Sequence, residues 1–196
     1  MSDNFQNNVV VIDYGVGNLL SVLRGIEVCG ASPILTSCPD KIINAKKLIL
    51  PGVGAFADGM KGLAEKNLIE PIKEYVSMNK PFLGICLGMQ MILDESHEFG
   101  VTKGLGLIPG KVLSIKSISS SNKNLKIPHI GWSSLRPGKK SQTWKNTILA
   151  NAQNEDSVYF VHSFFAVPEN EENTLAVCSY AENDLCAVIN HKNIYG

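Results

Sequence analysis

Pro81-Phe82-Leu83-Gly84-Ile85-Cys86-Leu87-Gly88-Met89-Gln90 is the stretch on which the fold turns. The apolar run Pro81 to Cys86 reads as a buried strand, and a helical pattern from Leu87 to Glu95 follows at once. Strands that run straight into helices imply a parallel sheet, because parallel neighbours need a crossover between them. Gly84 and Gly88 flank the cysteine, so strand and helix can approach closely while the Cys86 side chain projects above the sheet edge. That is the form of a nucleophile elbow. A thiol there would sit at a helix N-terminus, where partial positive charge and unpaired N–H groups favour the thiolate. The Leu87 N–H could hydrogen-bond an oxyanion. A packed glycine turn around an inert cysteine fits the same residues, and the pentapeptide alone leaves both open.

Working outward, the β-branched run Asn8 to Asp13 predicts a strand entering the turn Asp13-Tyr14-Gly15-Val16-Gly17-Asn18, followed by a helix over Leu19 to Val28. That turn lacks the full GxGxxG spacing, which sets aside a dinucleotide site. Ile34 to Thr36 and Lys47 to Leu50 predict further strands, the second ending in Pro51-Gly52-Val53-Gly54. Helices are expected around Asp58 to Glu65 and Ile69 to Met78. In a parallel sheet the Gly52 and Cys86 turns share the C-terminal edge, where open α/β folds place their sites. A glycine loop there can aim N–H groups at an oxyanion, although a plain connection would look the same.

The pattern changes in the second half. Lys111 to Ile118, Val158 to Val161, Thr174 to Ser179, Leu185 to Ile189 and Asn193 to Tyr195 predict short strands without intervening helices, with Ser119 to Asn124 a polar loop. These read as antiparallel additions to the same sheet, giving one α/β domain over residues 1–196. His162-Ser163-Phe164 could supply polar contacts beside an aromatic wall, or His162 could be a satisfied structural histidine.

Composition excludes some partners. Eighteen basic side chains balance eighteen acidic ones, which gives no reason to expect nucleic acid or an anionic membrane. Met1 to Asn8 is polar, without the basic and apolar regions of a leader, and Val9 to Ile12 is too short to span a bilayer. The five cysteines include no CxxC pair, so free thiols in a reducing cytoplasm are expected.

Five ordered segments together resemble the glutaminase subunits of imidazole glycerol phosphate synthase, which are class I (triad) glutamine amidotransferases. They are Val11 to Asn18, Leu50 to Phe56, Gly84 to Gln90, Pro128 to Trp132 and Phe160 to Phe164. The resemblance implies a three-layer, flavodoxin-like α/β domain with a mixed central sheet. It implies Cys86 as the nucleophile that attacks the glutamine side-chain amide, with ammonia leaving and water resolving a thioester. Gly52 and Leu87 match backbone positions of the oxyanion hole, and Gln90, Ser163 and Phe164 match positions around bound glutamine. Tyr14, Asn18 and His162 match the side facing a (β/α)₈-barrel cyclase/synthase subunit, the partner in a heterodimer. No cofactor or metal is implied.

The resemblance breaks in two places. The family's histidine and glutamate come from a Gln-Phe-His-Pro-Glu run just after the glycine matching Gly196, where this sequence stops. None of His97, His129, His162 or His191 matches the catalytic position, so a chain ending at Gly196 is expected to hydrolyse glutamine poorly. Ser133 follows Trp132 where the histidine-pathway enzymes usually carry Asn. With Cys178 to Asn183, it leans towards a paralogue that feeds ammonia to a sugar-amidinating synthase of surface-polysaccharide formation. A catalytically inactive regulatory subunit is the alternative of another class.

Overall fold

The computed structural model describes residues 8–118, 125–140 and 143–196. Its first half alternates as expected: β1 (Asn8–Ile12), α1 (Leu19–Val28), β2 (Ser32–Thr36), α2 (Pro39–Ile43), β3 (Leu48–Leu50), α3 (Phe56–Glu65), α4 (Ile69–Ser77), β4 (Phe82–Gly84) and α5 (Leu87–Met91). The four strands pair in parallel in the order β2-β1-β3-β4.

Side-chain alternation along β1 builds the layers. Val10 and Ile12 point into a core with Leu48, Leu50 and Phe82, covered by Phe56 and Leu63 of α3 and Ile72 and Tyr75 of α4. Val9 and Val11 point the other way, onto Leu19, Val22, Leu23 and Ile26 of α1. Each fully buried Leu or Ile contributes about 1.5–3 kcal/mol, so both faces must stay covered. The three-layer arrangement follows.

The second half supplies β5 (Glu95–Ser96), β6 (Thr102–Lys103), β7 (Gly110–Ser114), β8 (His129–Pro137), β9 (Ser157–His162), β10 (Phe164–Pro168), β11 (Thr174–Tyr180), β12 (Asn183–His191) and β13 (Ile194–Tyr195). β13 lies parallel to β4, β12 antiparallel to β13, and the sheet continues through β10, β7, β5 and β6. β12 also pairs with β11, which leads through β8 to β9, so β8 and β9 form a two-stranded ribbon at the end of that branch. The mixed sheet is as expected.

Two boundaries differ from expectation. The helix after Cys86 stops at Met91, because Asp94 is drawn into pairing: its N–H donates to the Gly110 carbonyl at 3.1 Å and its carboxylate accepts from Gly110 N–H at 2.9 Å. The strand expected to Ile118 ends at Ser114, whose side chain accepts from Lys116 N–H and whose carbonyl accepts from Ser117 Oγ, turning Ile115–Ile118 into a 3₁₀ helix. The polar loop expected at Ser119 to Asn124 lies outside the described residues.

Two glycines make opposite predictions. A Cβ on Gly88 would fall on the backbone carbonyl of Leu50, far inside contact distance, whereas one on Gly25, exposed in α1, would meet nothing within 4 Å. Gly88→Ala is therefore expected to lose about 3 kcal/mol or more of stability, and Gly25→Ala to gain about 0.5–1 kcal/mol. Urea midpoints measured on both variants check the pair; a neutral Gly88→Ala would refute the tight approach of α5 to β3.

Candidate active site

Cys86 stands between β4 and α5 with φ 55° and ψ −113°, a left-handed backbone conformation that a cysteine adopts only when its surroundings impose it. The neighbours do so. Ile85 N–H donates to the Leu50 carbonyl at 2.9 Å, and Gly88 N–H closes a turn onto Ile85 at 2.9 Å. A side chain at position 84 would come within 2.6 Å of the Gly88 carbonyl oxygen, so glycine is needed for the helix to start directly over the strand. The elbow is real in its geometry, and Cys86 is exposed at the mouth of a cleft of about 430 Å³.

Gly52 and Leu87 do meet, but not as two donors. The Leu87 N–H donates to the Gly52 carbonyl at a long 3.4 Å. The expected oxyanion donor is thus engaged by an acceptor, and the peptide between Gly52 and Val53 presents its oxygen to the site. Turning that peptide over would bring the Val53 N–H, rather than a group of Gly52, beside Leu87. Gly52 is pinned on its other side: a Cβ there would strike the Tyr14 hydroxyl, which donates to the Pro51 carbonyl at 2.8 Å.

The thiol also departs from expectation. Burial of the sulfur among its neighbours pushes it up from the ordinary cysteine value, and the Leu87 N–H only partly offsets this. A helix of five residues adds little field of its own. Cys86 therefore rests as a thiol, not the thiolate expected from its place at a helix start, and needs a base for attack.

The cleft brings the other expected residues together. Gln90 reaches from α5 and donates its side-chain amide to the Phe164 carbonyl at 3.1 Å. Ser163, between β9 and β10, lines the same wall, with its carbonyl held by Ile115 N–H at 2.9 Å. Phe164 meets the Phe99 ring edge-on at 6.2 Å. His162 also lines the cleft, but its ring turns to His129 and the Phe164 carbonyl.

Tyr14 corrects an expectation. It was placed facing a partner, yet it is 2% exposed and works beneath the Gly52 loop, with no surface left for another protein. Burial, with Cys86 nearby, raises its phenol well above the usual range, so it remains a donor. Asn18 is exposed and caps α1 by accepting from Ser21 N–H at 3.4 Å.

Glu98 was missed by sequence reasoning. Its carboxylate lines the cleft and accepts from Phe56 N–H at 2.7 Å, which also caps α3. In sequence it is one acid in the polar run Asp94-Glu95-Ser96-His97-Glu98, and only the fold carries it back to the elbow. An anionic oxygen opposite a thiol and a side-chain amide suits a small substrate with both an ammonium and an amide group.

A larger groove of about 700 Å³ lies over β10 and β12, away from the elbow. Cys186 beneath it is pushed up to about 12 by burial and is no nucleophile. Among the described residues no group of three or more His, Cys, Asp or Glu could hold a metal ion, and no helix is long and apolar enough to cross a membrane.

Comparison with known proteins agrees with this geometry. Residues 10–196 match the family described as glutamine amidotransferase class-I. The chain is 52% identical over 190 residues to imidazole glycerol phosphate synthase subunit HisH 1 of Legionella pneumophila strain Lens, covering 97% of this chain and 89% of that one. It is 40% identical over 187 residues to subunit HisH of Geobacter sulfurreducens, covering 95% and 87%. Among solved structures, one described as a glutamine amidotransferase superposes with a TM-score of 0.66 at 14% identity, covering 95% of this chain and 86% of that one. PurLQS from Thermotoga maritima gives 0.67 at 18%, covering 96% and 84%. An elbow cysteine, a facing glycine loop and a match along nearly the whole chain lead to one conclusion: this chain belongs to the class-I glutamine amidotransferases.

Proposed function

We propose that this protein is the glutamine-hydrolysing subunit of imidazole glycerol phosphate synthase, acting in histidine biosynthesis in the cytoplasm and passing ammonia to a (β/α)₈-barrel synthase subunit. The observation that carries the chemistry is the left-handed Cys86 elbow opening into a cleft that also holds Gln90 and Glu98. The relatives named as HisH subunits supply the pathway.

In this reading, Glu98 and the Phe164–Gln90 edge hold the amino-acid end of glutamine. The Cys86 sulfur attacks the side-chain carbonyl carbon, and the C–N bond breaks to release ammonia, which takes up the thiol proton. Water then adds to the thioester, giving glutamate and restoring the thiol. The oxyanion is stabilised by Leu87 N–H and, once the Gly52–Val53 peptide turns over, by Val53 N–H. Because that peptide now offers its carbonyl, hydrolysis waits on a rearrangement, which a docked and occupied synthase can favour.

The family's base lies in a His-Pro-Glu run, and Cys86 needs such a base for attack. β13 is parallel to β4, with Tyr195 opposite Leu83, so the C-terminal end of β13 stands at the same sheet edge as Cys86, where a base would have to act. The partner's seat is the outer face of the β8–β9 ribbon. Ile130, Trp132, Tyr159 and Val161 are all more than half exposed there, and cross-strand pairing of Ile130 with Val161 and Trp132 with Tyr159 puts them on one side.

A glutamine-analogue electrophile tests the reading directly. Incubated with the complex of this subunit, carrying the His-Pro-Glu run, and its synthase, it is expected to modify Cys86 alone, located by peptide mass spectrometry. Equal labelling of a Cys86→Ser variant would remove the nucleophile assignment.

A further inference from the structure

The Phe164 carbonyl is a junction. From one side it accepts the Gln90 amide at 3.1 Å, and from the other the Nδ1–H of His162 at 2.9 Å. A carbonyl can only accept, so the His162 proton is on Nδ1, and the neutral ring presents a bare Nε2. That nitrogen lies 2.9 Å from Nδ1 of His129. His129 must then donate through Nδ1, which leaves its own Nε2 to accept from the Ser133 hydroxyl at 3.0 Å. One backbone oxygen thus fixes the tautomers of two histidines and the rotor of a serine.

The surroundings keep this chain in place. His129 is 3% exposed and stacks on Phe160 at 4.9 Å and on Tyr180 at 4.1 Å. Burial lowers both imidazoles from the ordinary histidine value, which favours the neutral pair that the hydrogen bonds require. Strand alternation then gives the ribbon two distinct sides. Ile130 and Trp132 face outward, whereas His129 and Ser133, four residues apart in the alternate register, face the polar chain that ends at Gln90.

We propose that His162, His129 and Ser133 are positioning residues for the glutamine site, tying the Phe164 carbonyl, and through it the Gln90 amide, to the β8–β9 ribbon. A partner that fixes the outer face of the ribbon thereby fixes the substrate pocket on its inner side. This rests on the proposed glutaminase function, and it adds residues that act through the Phe164 carbonyl: His162 lines the cleft but turns its ring to that carbonyl and to His129, and His129 and Ser133 follow behind it.

The test is steady-state glutamine hydrolysis by the complete complex with its synthase subunit. His129→Phe keeps a flat ring to stack on Phe160 and Tyr180 but removes both hydrogen bonds, leaving a half-buried acceptor on His162. The KM for glutamine is expected to rise about tenfold, with kcat within about twofold. His162→Leu should raise KM by as much or more. His162→Asn, which can still donate to the Phe164 carbonyl, should return KM to within about threefold of the parent. Ser133→Ala should shift it by about twofold. A purely structural role would instead lower kcat and thermal stability together, with no rescue by Asn, and that pattern overturns the proposal. So does an unchanged KM in both His129→Phe and His162→Leu. Should His129→Phe fail to fold, the His162 pair decides alone. A parent complex that does not hydrolyse glutamine would sink the glutaminase reading, and the positioning role with it; a working parent with unmoved variants would sink only the latter.

Discussion

Cys86→Ala in the complete complex is expected to lower glutamine-dependent turnover by about 10⁴-fold or more, while synthesis from added ammonium continues at the parent rate. Removing the nucleophile leaves only positioning and oxyanion stabilisation, and nucleophile deletions in hydrolases cost on this scale. The ammonium arm separates loss of the nucleophile from any effect on the synthase itself, because added ammonium bypasses the thiol. The backbone adds a second, opposite effect. With φ 55° and ψ −113°, position 86 stores strain that glycine would not feel. Cys86→Gly is therefore expected to be as inactive as Cys86→Ala yet to melt higher, by about 1 kcal/mol of stability. Paired assays of glutamine- and ammonium-driven product formation, with calorimetric melting of both variants, check this. Glutamine-dependent turnover within about tenfold of the parent would show that another group attacks the amide.

Local pattern revealed most of the first half and less of the second, for physical reasons. Leu19 to Val28 was readable because its apolar spacing matches one helical face and Gly30 follows its end; the Asn18 cap came from the structure. The elbow was readable because Gly84 and Gly88 are forced by the close approach of backbone to backbone. β8 and β10 were not read as strands, although Pro128 to Trp132 runs into β8 and Phe160 to Phe164 ends on the first residue of β10: Gly131 interrupts β8 with φ 141°, and a single residue separates β10 from β9. The helix after Cys86 was drawn too long because nothing within it announces that Asp94 pairs with Gly110, sixteen residues on. Glu98 was invisible for the same reason. The thiol's direction was misjudged because helix geometry can be read locally, whereas burial of the sulfur depends on segments distant in sequence, the loop after β3 and the β9–β10 connection among them, arriving around the cleft.

Trp132→Ala is expected to weaken assembly with the synthase by about 30-fold or more, without changing the fold of the free subunit. Trp132 is 72% exposed, and its ring meets Tyr159 edge-on at 5.6 Å, so the free protein already holds it in one orientation. A large aromatic fixed in the open has little rotamer freedom left to lose on docking, which is what makes such a residue an anchor. Ile130 and Val161 flank it on the same side of the ribbon, and Val161 also lines the cleft that holds Cys86, so the apolar face runs to the edge of that cleft. Truncating a central aromatic anchor typically costs about 2–4 kcal/mol, and each 1.4 kcal/mol is tenfold in Kd. Val28, 88% exposed on α1, provides the control: Val28→Ser should leave affinity within about twofold. Titration calorimetry of each variant against the synthase measures both. The dependence of hydrolysis on the partner should survive at saturating synthase, because Trp132 sets how firmly the ribbon is held and not what the holding does. Unchanged affinity in Trp132→Ala would move the docking face off the ribbon, towards the exposed loop that ends at Asn18.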